Sequence, residues 1–426
     1  MRATRAVAVS LLGLSLLAAC PGPTAPLKVE ILDYDQSKTE WRLATATLTS
    51  VKDLNNLTGQ WFDLVGNQQV AQDVLAYQEL DPDTVTLEQL RDMTLDRRGE
   101  PVQLSYDFVT DSAGDPVAVA NDFESLSMMT VFHHFEKVWG FAHDTIGDST
   151  DATSAHSLVG FYATVAARVG IPIPVLSADN AAFVPMTDSF VVLRIQLIDG
   201  IPFALNPGVI AHEFSHRLFF HNVFARSAFR NWFDKTLRSA TTQTDEETRF
   251  GVLLKALDEG CADVHALAFS GRTQFIADSI QGDLGEGTRL QRDVEGAFAD
   301  WATYTALESG ETFPGTSTDL CSGASDNFHN ADWNFYCLGT VWARALWDAS
   351  GRDVGALRQD IAPALYRALS RLGEEQLAAN WYFDFELVLE LMAQEVSSGA
   401  PARLGMLCDA FQDKFSTLMG WVTTCP

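Results

Sequence analysis

The sequence predicts an α+β fold, strand-rich in its first half and mainly helical in its second. Three observations carry that expectation. From about Val29 to Val119 the chain runs in short β-branched segments, such as TATLTSV and VQLSYDFV, cut by Gly, Asp, Asn and Pro; this is the composition of strands and turns. Beyond about Thr244, apolar residues recur at helical spacing over 246 to 269, 336 to 349, 361 to 372, 385 to 396 and 404 to 418. At the junction, a segment opening on Asn206 and running to Phe220 has the marks of a capped helix. A hydrophobic content of 47% over 426 residues suffices for a sizeable core.

Taken in order, the first twenty residues join a basic start at Arg2 and Arg5 to an apolar run from Ala6 to Leu17 and a small-residue exit. That is an export signal, too short to be retained comfortably as a membrane span. Its exit, Leu17-Ala18-Ala19-Cys20, resembles a bacterial lipobox, which makes residues 1 to 19 a lipoprotein signal peptide and Cys20 the lipidated residue. Residues 20 to 28, with the PGPTAP segment, read as a structureless tether. Residues 29 to 222 are then a strand-rich lobe that ends in the junction helix, and 223 to 426 a helical lobe.

From Asp122 to Phe141, Met128, Phe132, Phe135 and Trp139 make one apolar helical face. His133 and His134 are adjacent and cannot share a face, so they read as surface or packing residues. In FVVLRIQL, residues 190 to 197, Leu193, Ile195 and Leu197 alternate with Arg194 and Gln196, a strand with one wetter face. Asn206 suits an N-cap and Pro207 the first helical position.

The charge excludes one class of partner. Fifty-six acidic against twenty-nine basic residues give a net charge of -27, a poor match for nucleic acid or for anionic lipid. Membrane attachment is therefore expected only through a lipid at Cys20. In an oxidising compartment the natural bridges are Cys321 with Cys337 and Cys408 with Cys425, leaving Cys261 as a buried thiol.

The junction helix contains HEFSH, residues 212 to 216. Histidines four apart lie on nearly one helical face, so His212 and His216 can direct ring nitrogens at one ion. Glu213 sits beside them, placed to act as a base on a metal-bound water without being a ligand. Val209, Ile210, Phe219 and Phe220 flank the motif and imply burial, where a metal would satisfy the polar groups. The extended pattern HExxHxxGxxH is excluded, because Phe219 and Asn222 stand where it needs Gly and His; His221 reads as a surface residue at the helix exit. The third ligand is sought in LDEGCADVHALAF. There Glu259 and Asp263 share one line beside the small residues Ala256 and Gly260, suited to docking against another helix. Glu259 can complete the zinc shell and Asp263 can accept a ring N–H from a ligating histidine. A solvated acidic face would fit Asp258 as well as Glu259.

HEFSH followed by EGCAD resembles the thermolysin-like metallopeptidases, in which a later helix supplies a glutamate ligand and, four residues on, an aspartate. Asn180-Ala181-Ala182-Phe183 is similar to the segment whose edge strand holds substrate backbone in that family, and YCLGTVWARALW, 336 to 347, to the HAxGxVWxxxLW helix of the fungalysin group. The resemblance spans roughly residues 120 to 350. It implies a two-lobed thermolysin-like zincin with the zinc site between the lobes, a peptide or protein substrate, and Zn2+ as cofactor; Ca2+ is compatible with the family, although Asp245-Glu246-Glu247 reads as a solvated cluster. There are two departures. The interval from His216 to Glu259 is longer than in thermolysin, implying an inserted segment near 225 to 247. Tyr336 also stands where the family has its transition-state histidine.

A tyrosine hydroxyl can donate to an oxyanion, and Tyr336 would share a face with Gly339 and Ala343; His329 is the alternative donor. The expected activity is an endopeptidase, with zinc on His212, His216 and Glu259, Glu213 as base, and Asn180 and Ala181 aligning the substrate. The competing expectation is a zinc-binding surface lipoprotein without turnover. An exopeptidase reading lacks a GxMEN-type amine-recognising motif. A monomer is expected, exported and lipid-anchored to the bacterial cell envelope on the outer membrane, on its periplasmic or surface side.

Overall fold

The computed structural model describes residues 26–35, 40–73, 86, 89, 92, 95–168, 172–175, 181–192, 202–224, 245–276, 279, 293–295, 335–377 and 385–425. Among these, strands fill the N-terminal region and helices the C-terminal region, a mixed α+β architecture.

Three sheets form the first part. In one, β1 (Leu27–Asp35) pairs antiparallel with β2 (Glu40–Leu48) from Leu27↔Leu48 to Asp35↔Glu40. The expected tether of 20 to 28 therefore ends early, because the backbone of Leu27 and Lys28 is already in this ladder. The larger sheet contains β3 (Val51–Asp53), β4 (Thr58–Gly59) and β5 (Phe62–Gly66). A further sheet holds β6 (Gln69–Asp73) and β7 (Leu95–Arg97). The short β8 (Glu100–Pro101) lies against β5, while β9 (Tyr106–Thr110) and β10 (Pro116–Ala120) complete the first sheet in the order β2-β1-β10-β9.

Helix α1 (Phe123–Gly140) starts where Asp122 accepts the Ser125 N–H and lies against β1; the face expected from the spacing, Met128, Phe132, Phe135 and Trp139, is buried, and its three rings pack on Phe62 of β5. His134 is buried and His133 partly so; burial pushes their pKa values down to about 3 and about 4. Both are neutral packing residues.

Beyond α1 come β11 (Ser157–Phe161), β12 (Thr164–Arg168), β13 (Pro172–Val175), β14 (Ala181–Val184) and β15 (Ser189–Val192). β11 runs parallel to both β5 and β15, and β14 closes that sheet antiparallel to β15, so that the sheet path runs β14-β15-β11-β5-β4-β3. Only Phe190–Val192 of the expected 190 to 197 strand belong to the described residues.

Among the described residues the longer helices after α1 are α2 (Pro207–Phe219), α3 (Asp245–Ser270), α4 (Phe335–Ala349), α5 (Ala362–Arg371), α6 (Phe385–Gly399) and α7 (Leu404–Lys414). One continuous apolar core joins the strands around Phe62, Phe161 and Phe190 to the helices. Trp342 of α4 is fully buried against Phe385, Phe411 and Phe415, with ring centroids 5.6 to 6.1 Å away. A Cys408–Cys425 disulfide staples the C-terminal end, worth of order 3 kcal/mol for a loop of that length. Cys261 is a free, buried thiol whose pKa burial pushes well up, so it acts as a small apolar filler. No described helix is long and apolar enough to cross a membrane.

Candidate metal centre

The site forms where α2 crosses α3. Asn206 caps α2 by accepting the Gly208 N–H at 2.9 Å, and its own amide donates to the Phe275 carbonyl and Ser279 Oγ at 2.8 and 2.9 Å. The helix start is thus tied to the segment that follows α3. From there the four-residue spacing sets His212 and His216 side by side, ring centroids 4.8 Å apart and planes at 89°. Phe275 stacks on His212 with centroids 5.6 Å apart.

Across the helix crossing, Glu259 Oε2 lies 3.2 Å from His212 Nε2 and 3.9 Å from His216 Nε2, and the two Nε2 atoms are 3.2 Å apart. His212 and Glu259 are buried and His216 nearly so; their ligand atoms all fall within 4.8 Å of one another. The other ring nitrogens are engaged. His212 Nδ1 meets Asp263 Oδ1 at 3.2 Å, and His216 Nδ1 meets Asp258 Oδ1 at 2.7 Å. Each Nδ1 thus has a carboxylate acceptor, an arrangement that suits a neutral ring with its proton on Nδ1 and its Nε2 lone pair free to ligate. Two such lone pairs and a carboxylate oxygen converging in a buried space repel one another unless a cation is shared between them. The donor set, two imidazoles and one carboxylate, is that of a catalytic zinc site with an open position.

Neither Asp258 nor Glu259 lies on a solvated acidic face, since Glu259 is buried and Asp258 is bound to His216. Burial raises the pKa of Asp258, but the charges of His216 and Lys255 and the hydrogen bond to His216 outweigh this and hold it below the ordinary carboxylate range. Lys255, one turn earlier, reaches Glu259 Oε1 at 2.9 Å and Asp258 Oδ2 at 3.3 Å. It leaves Oε2 as the oxygen aimed at the histidines.

The spacing of α3 from α4 is set by glycine. A Cβ on Gly260 would lie 2.4 Å from the Gly339 carbonyl oxygen, and one on Gly339 would lie 2.7 Å from the Ala256 carbonyl oxygen. The small-residue face read around Glu259 is thus a backbone-to-backbone contact.

Glu213, the next residue after His212, reaches the sheet, where its Oε2 accepts the Phe183 N–H of β14 at 3.2 Å. In the β14–β15 ladder, Phe183 directs that N–H to the side away from β15, and Ala181, two residues earlier, shares its orientation. The base thus lies against the flank of β14 that faces away from β15, at the end of this sheet among the described residues. The same helix is pinned further along by Arg217, whose fully buried side chain grips Asp188 at 2.9 and 3.0 Å and lies 4.6 Å above the Trp139 ring. Asp188 sits in the left-handed region at the turn between β14 and β15. His221, expected at the surface, is instead buried and meets Asp188 Oδ1 at 3.1 Å. The chain leaves α2 through a wider π turn, Phe220–Phe224, which rotates the ring inward.

Tyr336 lies in the first turn of α4, and its side chain is outside the described residues. Cys20, Asn180, Cys321, His329 and the side chain of Cys337 are also outside them, as is most of the insertion near 225 to 247.

No family model and no curated protein matches this chain. Among solved structures, the precursor of protealysin, a metalloproteinase from Serratia proteamaculans, is similar over 82% of this chain and 87% of its own, at 12% identity and a TM-score of 0.41. The chemistry of the centre therefore rests on its own residues.

Proposed function

We propose that this chain is a zinc-dependent endopeptidase, exported and lipid-anchored through Cys20. The observation that carries the reading is the convergence of His212 Nε2, His216 Nε2 and Glu259 Oε2, with both Nδ1 atoms held by carboxylates; Glu213 is the next residue along the helix from His212. His212, His216 and Glu259 would hold the metal, which supplies Lewis acidity and a water of lowered pKa. Glu213 would take a proton from the attacking water and return it to the leaving amine. Its contact with the Phe183 N–H keeps the carboxylate at the flank of β14, beside which Asn180 and Ala181 would align an extended peptide. Asp258 and Asp263 fix ring orientation and tautomer. Tyr336 is the candidate oxyanion donor, with His329 as the alternative. A purely structural zinc site has no use for Glu213, which favours turnover over a passive binding role.

Metal analysis and casein hydrolysis, run on wild type and Glu213→Gln, test this reading. About one zinc per chain in both proteins is expected, with hydrolysis lost in the variant by roughly a thousandfold or more. Unchanged hydrolysis in the variant sinks the mechanism, and zinc without hydrolysis in wild type leaves a binding protein.

A further inference from the structure

Behind the metal cluster, three buried polar side chains from three helices meet at one point. Ser215 Oγ of α2 lies 2.7 Å from the Tyr366 hydroxyl of α5, which lies 3.1 Å from His265 Nδ1 of α3. Ser215 and His265 are fully buried and Tyr366 is 3% exposed, so none of the three can touch a substrate. His265 is boxed by Phe141 and Phe214, with centroids 5.3 and 6.3 Å away, and meets Tyr366 edge-on. Burial, with a smaller contribution from the charge of His212, pushes the His265 pKa down to about 3, so the triad is an uncharged hydrogen-bonded chain at neutral pH.

The positions of these residues matter. Ser215 immediately precedes His216, and His265 follows Asp263 by two. We propose that Ser215, Tyr366 and His265 form a polar peg that fixes the register of α2 on α3, and so sets the affinity of the His212–His216–Glu259 centre for its metal. Tyr366 is a positioning residue. Apart from the pairs of the metal centre itself, His212 with Asp263 and His216 with Asp258, the two helices meet with apolar residues such as Leu218, Leu257 and Val264 in the shared core, and apolar packing has no preferred register of its own. A slip of one residue moves a helix by about 1.5 Å, whereas metal–ligand distances tolerate only about 0.2 Å. Hydrogen bonds between side chains on all three helices remove that freedom, the role best attested for buried polar groups.

The inference rests on the metal-centre reading, and the test separates the two. Zinc dissociation constants are measured by chelator competition, beside the melting temperature of the metal-free protein, for wild type, Tyr366→Phe, Ser215→Ala and the double variant. Tyr366→Phe keeps the ring volume and removes both hydrogen bonds; it is expected to weaken zinc binding about tenfold, the low end for residues that orient metal ligands. Ser215→Ala, which suits a helix interior, is expected to weaken it less, and the double variant no more than Tyr366→Phe alone. Hydrolysis by Tyr366→Phe should recover at saturating zinc. Wild-type zinc affinity in both single variants, with only a lowered melting temperature, overturns the peg and leaves the metal centre standing. A wild-type chain that binds no zinc overturns both.

Discussion

Gly260→Ala is the sharpest probe of how the third ligand is placed. The new methyl would lie 2.4 Å from the Gly339 carbonyl oxygen and 2.9 Å from Trp342 Cδ1, where ordinary contact begins at 3.4 Å. The obstacle is backbone, and Gly339 in turn leaves only 2.8 Å to the Gly260 nitrogen, so no side chain can swing aside. Relief needs α3 to withdraw from α4 by about 1 Å, the shortfall between contact and clash. Overpacking of this kind costs about 1–3 kcal/mol, offset by about 1 kcal/mol from alanine's helix preference. The net loss of stability is therefore modest, about 1 kcal/mol. The effect on the metal is larger, because Glu259 is the adjacent residue and about 1 Å is several times the tolerance of a coordination bond. Zinc affinity should fall tenfold or more while urea unfolding of the metal-free protein shifts slightly. A variant as stable as wild type with unchanged zinc affinity would refute the claim that the glycine contact places Glu259.

Two further outcomes follow from the buried charges and rings. His134 and His265 fall to about 3 in the native state from 6.5, so the unfolded chain binds more protons between those values. Their contribution is present above pH 6.5 and is lost as pH falls toward 3. At pH 5 the loss is about 2 kcal/mol per ring, and His133, held at about 4, adds a third ring of similar size; denaturant titrations of metal-free protein at pH 5 and 8 should show it, His134→Leu should remove about a third, and pH-independent stability would contradict the assignment. Arg217→Met strips the guanidinium from Asp188 and the Trp139 face; a cost of about 3–5 kcal/mol is expected in urea unfolding, with a smaller cost once Asp188→Asn is added, and a loss under about 1 kcal/mol would show that the pair does not hold the helix to the β14–β15 turn.

The sequence by itself determined what local periodicity and capping can specify. The Asn206 cap, the shared face of His212 and His216, the apolar face of α1 and the small-residue neighbourhood of Glu259 are consequences of helical geometry, which repeats without knowledge of the rest of the chain. The tertiary structure decided which neighbours face each other. Spacing gave no role to Asp258, because adjacent residues on a helix differ by about 100° and the rotation of the helix decides what each faces; the rotation of α3, pinned by Gly260 against Gly339, turned Glu259 to the histidine Nε2 atoms and Asp258 to the His216 Nδ1. His221 moved from surface to interior because a π turn changed the angle at which the chain leaves α2. The Ser215–Tyr366–His265 peg joins residues up to 151 apart in sequence. No periodicity links such distant positions, and only the packing of three helices brings them within hydrogen-bonding distance.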